Sequence, residues 1–393
     1  MTQKVLAAFD KCKDSLAASE LCKLTQDTLE SRVGQYAVDI VPLSDGGEGF
    51  VQILTTEVKG EFIPFYASDS LGKKKEVQIG VCKLSNLSVL AKDFLKLPDE
   101  GKIGIIEMAS IVGLADLKVE ERNAWKTSSK GVGEVLAFCA SLKLDAILLG
   151  IGGSSTNDMG VGALKSLGFE FIDSTGHSIS FPSPETWSSV SKIQAGCMVS
   201  LPPLTIACDV RNPLLGPMGA THQFGKQKGL DSDARDCLEK KMEEMLALMG
   251  TMFSDVAVSA KAEGSGAAGG IGFGLGLAYK VNFVPGFDLI SSWCDIPSKI
   301  RRCDILITGE GRFDKTSMQG KAPFELIRKA HQAGKKTYVF AGSVEEETKK
   351  ICEKEYASLE IYEFGKLGVT LEDKLTNASS HLISSLNDVM FPN

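Results

Sequence analysis

The chain has 393 residues, of which 43% are hydrophobic and 24% charged, and carries a formal net charge of −7. That length exceeds a usual single domain of roughly 100–200 residues, so two domains with sizeable cores are expected. The acidic balance comes without blocks of like charge, which argues against nucleic acid or an anionic membrane as the main partner.

The first element is KVLAAFD, too short for a signal-peptide core and read as a strand. It leads into the helix-like LAASELCKLTQDTLES. YAVDIVPLSD then leads into GGEGFVQILTTEV. EFIPFYASDS, EVQIGVCK and SNLSVLAK read as consecutive strands without helices between them, which places the start of a second domain near residue 65. KIGIIEMAS, DAILLGIG, LTIACDV, DILITGEG and KTYVFAG return to the strand-then-helix pattern. Such alternation favours parallel sheets in an α/β fold, whose ligands gather at strand carboxyl ends. The expected division is 1–65 plus 290–393 for one α/β domain, and 66–289 for a second α/β domain inserted in the middle. Residues 231–250 read as an amphipathic helix with a solvated charged face. The glycine-rich stretch 264–279 is too short to span a membrane, and the chain is read as soluble and cytoplasmic. Ten cysteines form no C-x-x-C pair and sit mostly in apolar contexts, so buried reduced thiols are expected. Four histidines without H-E-x-x-H spacing argue against zinc.

Six strand ends carry the chemistry. FDKCKDSL (9–16) offers Lys13 as a point cation and Ser15 as a helix cap at a turn that favours an anion. PLSDGGEGF (42–50) places Asp45 and Glu48 around Gly46 and Gly47, suiting Mg²⁺ beside phosphate; a capped turn is the simpler reading. GIGGSSTNDMG (150–160) offers Ser154, Ser155 and Thr156 as phosphate donors, and Asn157 and Asp158 toward a metal or ribose, against a tight turn with an Asn-Asp cap. Asp209 follows the LTIAC strand, where its carboxylate could orient Mg²⁺ or accept a hydroxyl proton. GSGAAGGIGFGLG (264–276) contains G-x-G-x-x-G, but a poor strand precedes it and glycines fill the would-be helix. A backbone cradle using Gly266, Gly269 and Gly270 is therefore preferred to a dinucleotide fingerprint. DILITGEGRFDKTSMQGKAP (304–323) adds Glu310, Asp314 and Lys321. Neither a P-loop nor the protein-kinase motifs occur. Amides and lysines for phosphates, carboxylates for Mg²⁺ and a carboxylate near an attacking hydroxyl together suit phosphoryl transfer.

SDGGEG, GIGGSSTND, DVRNPLLGPMGA, GAAGGIGFGL and DILITGEGRFD with GKAP resemble, in order, the motifs of the type-1 glycerate kinase family. The resemblance runs from residue 8 to beyond 323. It implies ATP- and Mg²⁺-dependent phosphorylation of D-glycerate, usually to 2-phosphoglycerate, by two α/β domains, one flavodoxin- or Rossmann-like with a parallel sheet, with the site in the inter-domain cleft. Carried over by motif, the site residues are Lys13, Ser15, Asp45, Glu48, Asn157, Asp158, Asp209, Glu310, Asp314 and Lys321. The proton acceptor would be Asp209 or Asp45, with Lys321 offsetting phosphoryl charge. Lys13, Arg122 or Arg312 would pair with the glycerate carboxylate, and Asp45, Glu48 and Asp209 are the candidate Mg²⁺ ligands. The first family motif reads like DSFKGSL where this chain has DKCKDSL; Ala124 and Lys130 also depart from the pattern, which touches substrate choice rather than reaction type. Partners are then glycerate and nucleotide, with a monomeric or homodimeric chain. A nicotinamide-dependent oxidoreductase using GSGAAG, or a non-catalytic sugar-acid or nucleotide-binding protein, are the alternatives.

Overall fold

A computed structural model describes residues 2–365 and 370–392. The chain folds as two compact α/β units, Met1–Asp45 with Ser88–Phe94 and Phe287–Asn393, and Gly46–Leu87 with Leu95–Gly286.

The first unit is built on five parallel strands in the order Leu359–Glu363, Lys336–Ala341, Ile305–Gly309, Gln3–Phe9, Tyr36–Ile40. Counted along the chain this is the flavodoxin-like order 2-1-3-4-5. Both faces are covered, so the central strands are apolar on each side, as parallel sheets require. Val5, Ala7, Phe9 and Ile307 pack with Leu21, Leu29, Leu382 and Leu386 from the helices Ala18–Glu30 and Ala378–Met390. Val339, Ala341 and Ile361 pack on the other face with Phe324, Ile327 and Cys352. The sequence of strands reverses between Gln3–Phe9 and Ile305–Gly309. Phe9 pairs with Gly309 there, and Asp10 N donates to Gly309 O at 2.9 Å.

The second unit holds a six-stranded sheet in the order Val281–Val284, Leu204–Ala207, Ala146–Gly150, Lys102–Glu107, Lys74–Lys83, Glu61–Ser68. The first four strands are parallel and the last two join antiparallel. Helix Lys130–Ser141 packs so tightly on Val161–Ser166 that a Cβ on Gly133 would lie 2.3 Å from Ala163 O. Helix Ser232–Met249 starts at its Asp231 cap, which accepts from Ala234 N, and buries Leu238, Met242, Met245 and Met249. Its polar face is not wholly solvated, because Glu239 is buried and accepts from Gly216 N.

Two expectations need correction. SNLSVLAK is not a strand but a 3-10 turn, Leu84–Asn86, followed by the helix Val89–Leu95. Ser88 Oγ accepts from Ala91 N at 2.9 Å, and that cap outweighs the β-branched Val89. Among the ten free cysteines, Cys197 and Cys237 are exposed rather than buried. No helix among the described residues is long and apolar enough to cross a membrane.

Two glycines separate space from backbone freedom. A Cβ on Gly309 would sit 1.8 Å from Phe340 O, whereas one on Gly276, inside helix Ile271–Ala278, meets nothing within 4 Å. Gly309→Ala should therefore lower unfolding free energy by about 2–3 kcal/mol, and Gly276→Ala should raise it by about 0.5–1 kcal/mol. Denaturant titration of both variants checks the contrast.

Candidate active site

In the first unit, three neighbouring parallel strands deliver carboxylates to one edge. Asp10 follows the strand Gln3–Phe9 directly, and Glu310 follows Ile305–Gly309 directly. Val41 N and Leu43 N extend the ladder of the third strand onto Ala7 O and Phe9 O, which carries the chain to Asp45. Burial, then the charge of Asp45, pushes the Asp10 carboxyl up to about 7; Glu310 adds to the rise and the Lys11 amide opposes it. Glu310 is 4% exposed. Its Oε2 accepts from Lys321 Nζ at 2.9 Å, while its Oε1 is buried without a hydrogen-bond partner. Lys321 is the N-cap residue of helix Ala322–Gln332, so its backbone is fixed while its side chain stays partly in solvent. The edge thus gathers three carboxylates, with Lys321 on Glu310 and the charge of Lys11 acting on Asp10.

In the second unit, the polar loops are packed backbone against backbone. Gly152 N donates to Gly46 O at 3.0 Å, and a Cβ on Gly152 would lie 2.7 Å from Gly47 Cα. Gly46 has φ +88° and lies over Ala207, so the SDGGEG turn rests on two strand ends. Helix Phe50–Glu57 follows, and the buried Glu107 carboxylate accepts from its Val51 N at 3.1 Å. Glu48 and Asp209 are exposed, and Asp209 Oδ1 accepts from Gly286 N at 2.7 Å.

The stretch 154–158 is buried throughout. Ser155 Oγ donates to Val112 O at 2.8 Å. Asn157 Nδ2 donates to Thr221 Oγ1 at 3.0 Å. Asp158 accepts from Ser129 N, Ser129 Oγ, Gly160 N and Gly162 N, and so holds the starts of helices Lys130–Ser141 and Val161–Ser166. Burial raises its carboxyl against the pull of those donors. Thr156 Oγ1 and Asn157 Oδ1 are buried without partners.

Other candidates are also engaged in the fold. Ser15 does not cap a helix; its hydroxyl donates to Leu375 O at 2.7 Å, and Glu20 accepts from Ala17 N instead. Lys13 is exposed on the tight turn closed by Cys12 and Leu16. Asp314 turns on itself, accepting from Thr316 N and Oγ1, and pairs with the exposed Arg312 at 3.0 Å. That Thr316 hydroxyl holds its carboxyl below the usual range. Arg122 is half-buried, with Nε 3.4 Å from Leu117 O. The glycines of GSGAAG face protein rather than open space: a Cβ on Gly266 would meet Pro213 O at 2.0 Å, on Gly269 Thr156 O at 2.2 Å, and on Gly270 Leu214 Cδ1 at 2.7 Å. The segment follows helix Val256–Ser259 and a turn, with no strand before it, so it is no dinucleotide fingerprint.

Sequence reasoning passed over Asp10, Glu107, Ser129 and Lys228. Asp10 carried a usable signal, since it ends an apolar strand as Asp209 nearly does. Glu107 ends KIGIIE in the same way. Ser129 and Lys228 lie in polar runs whose burial only the tertiary structure reveals. Among the described residues, no group of three or more His, Cys, Asp or Glu is arranged to hold a metal ion. Asp45 falls in the first unit and Glu48 and Asp209 in the second, so neither unit by itself brings that candidate set together.

A doubly covered parallel sheet with acidic groups and a lysine at the carboxyl end of its reversal point is an α/β architecture of the kind that gathers ligands at that edge. Residues 5–391 match the glycerate kinase family. The chain is 29% identical over 393 residues to the glycerate kinase of Bacillus subtilis (strain 168), covering 98% of this chain and 96% of that protein. It is 32% identical over 351 residues to the glycerate kinase of Haemophilus influenzae, covering 88% and 87%. The crystal structure assigned as glycerate kinase 2 from Salmonella typhimurium LT2 is similar with TM-score 0.73 and 27% identity, covering 99% of this chain and 97% of that one. The chain belongs to the glycerate kinase family and is a phosphotransferase; phosphorylation of glycerate is the activity of that family.

Folding raises the Asp10 carboxyl from 3.8 to about 7, so its contribution to stability is complete below 3.8 and is lost as pH rises through 7. Asp10→Asn lacks that loss. Relative to wild type it should gain on the order of 1–3 kcal/mol between about pH 4 and 7, then level off, in denaturant melts across pH. Asp158→Ala strands buried amides at two helix starts and should cost about 3 kcal/mol at pH 7 by the same melts.

Proposed function

We propose that this chain transfers the γ-phosphoryl group of ATP to the 2-hydroxyl of D-glycerate in an Mg²⁺-dependent reaction. The observation that carries this reading is the convergence of Asp10, Asp45 and Glu310, with Lys321, at the reversal point of the sheet in a glycerate kinase family chain. The 2-position is favoured because a relative from Escherichia coli (strain K12), 29% identical over 349 residues, is named glycerate 2-kinase.

The residues fit a divalent cation. Glu310 Oε1 is buried and unpartnered, and a nearby cation would offset the burial and neighbouring carboxylates that raise Asp10. Mg²⁺ is usually held by one or two carboxylates with the remaining ligands from phosphates and water, so no closed protein cage is required. Asp45 and Glu310 would hold it, and when bound it neutralises charge on the phosphoryl oxygens. Lys321, anchored on Glu310, offsets charge on the group in transfer. Asp209, exposed and oriented by Gly286 N, accepts the glycerate hydroxyl proton. The contributions are mainly positional and electrostatic.

With ATP, Mg²⁺ and D-glycerate, phosphorus NMR should show one product, 2-phosphoglycerate; 3-phosphoglycerate alone would overturn the assignment of position. Asp209→Asn should lower kcat by roughly 10²–10⁴ with a small change in KM. A near-normal kcat would remove Asp209 as the base.

A further inference from the structure

Glu107 ends the strand Lys102–Glu107 at the carboxyl edge of the second sheet, where it pairs in register with Gly150. It is 7% exposed, and its Oε2 accepts from Val51 N at 3.1 Å. Val51 is itself buried and lies in the first turn of helix Phe50–Glu57. Amides at a helix start lack partners within the helix, and the dipole there favours an anion. That helix has no side-chain cap of its own, because its N-cap residue is Gly49. A carboxylate from a neighbouring strand end fills the place that a Ser or Asp cap would take. The turn that precedes the helix is also fixed at its start. Gly46 O accepts from Gly152 N at 3.0 Å, and a Cβ on Gly150 would lie 2.4 Å from Gly46 O. Within the second unit, Gly46–Gly49 is thus held by two strand ends, Gly150–Gly152 at its start and Glu107 at its exit. The turn carries the exposed Glu48, and the exposed Asp45 directly precedes it in the chain.

We propose that Glu107 is a positioning residue for phosphoryl transfer: its carboxylate fixes the start of helix Phe50–Glu57, and through it the turn that carries Glu48 and follows Asp45. This rests on the proposed glycerate reading and adds to it the group that sets the SDGGEG turn. Glu107 touches neither substrate nor metal and moves no proton. Five of the six residues of its strand are buried, so the carboxylate stands on a rigid base. Without it, Val51 N is left buried without an acceptor and the exit of the turn is released. A carboxylate carried on a released turn is in the productive position for less of the time, which lowers turnover more than substrate binding.

Glycerate-dependent ADP release is measured for the wild type, Glu107→Ala, Glu107→Asp and Glu107→Gln at one temperature below the melting range of all four. Glu107→Ala should lower kcat by about 10–100-fold, with KM for glycerate changed by less than about threefold. Glu107→Asp keeps the charge but is one methylene too short for Val51 N, and should lose about as much as Glu107→Ala. Glu107→Gln keeps an acceptor oxygen of the right reach and should hold kcat within about threefold of the wild type. Hydrogen exchange across residues 47–53 should be faster in Glu107→Ala and Glu107→Asp than in the other two proteins. A merely structural glutamate would lower the melting temperature and leave kcat of the folded enzyme unchanged, and that result overturns the proposal. The opposite order, with Glu107→Asp active and Glu107→Gln inactive, also overturns it, because charge rather than the bond to Val51 would then matter. Both results leave the glycerate reading intact. A wild type without glycerate-dependent release overturns that reading and the role of Glu107 with it. If Glu107→Ala does not fold, Glu107→Asp and Glu107→Gln decide the matter.

Discussion

The first unit depends on one topological constraint. Where the strand sequence reverses between Gln3–Phe9 and Ile305–Gly309, connections leave toward opposite sides of the sheet and open a space at the carboxyl ends. Only residues immediately after those strands can reach that space from a rigid base. They are Asp10 and Glu310, joined by Asp45 from the neighbouring strand's extension. Burial at this edge, with the charge of Asp45 added to it, is unfavourable to an ionised Asp10 and raises its carboxyl. The fold tolerates it because the sheet beneath is buried on both faces and Lys321 partly offsets Glu310.

The second unit meets a related demand by different means. Its loops are held by backbone close approach at Gly46, Gly47, Gly150 and Gly152, and by the buried Asp158 that ties two helix starts to one loop. Ser155, Asn157 and Asp158 there are internal donors and acceptors. Their burial makes the loop rigid, which suits a site that works by preorganisation. Lys228 is the exception: a buried lysine with no ion pair among the described residues, which donates to Thr156 O and Ser154 Oγ.

The strand–helix alternation, the α/β class and the positions of the strand ends were legible because apolar runs of five to seven residues ended abruptly in Gly and Asp. SNLSVLAK misled because one short apolar run cannot distinguish strand from helix, and the Ser88 cap settled it. Among site residues, Glu310 and Lys321 were visible in GEG and GKAP, and the structure joins them. Ser15, Asp158, Asp314, Gly266, Gly269 and Gly270 also hold the fold, and that engagement was not legible because a sequence shows polarity and smallness without showing what fills the adjacent space. Lys228 was missed for the reverse reason: a lysine flanked by Gln and Gly looks solvated until burial is known.

The central claim is phosphoryl transfer from ATP to glycerate by this chain. It is tested most directly by following ADP release from the purified protein with Mg²⁺·ATP, with and without D-glycerate. The account predicts release that depends on glycerate and saturates with its concentration. ADP release at the same rate without glycerate, or none with it, would contradict the account.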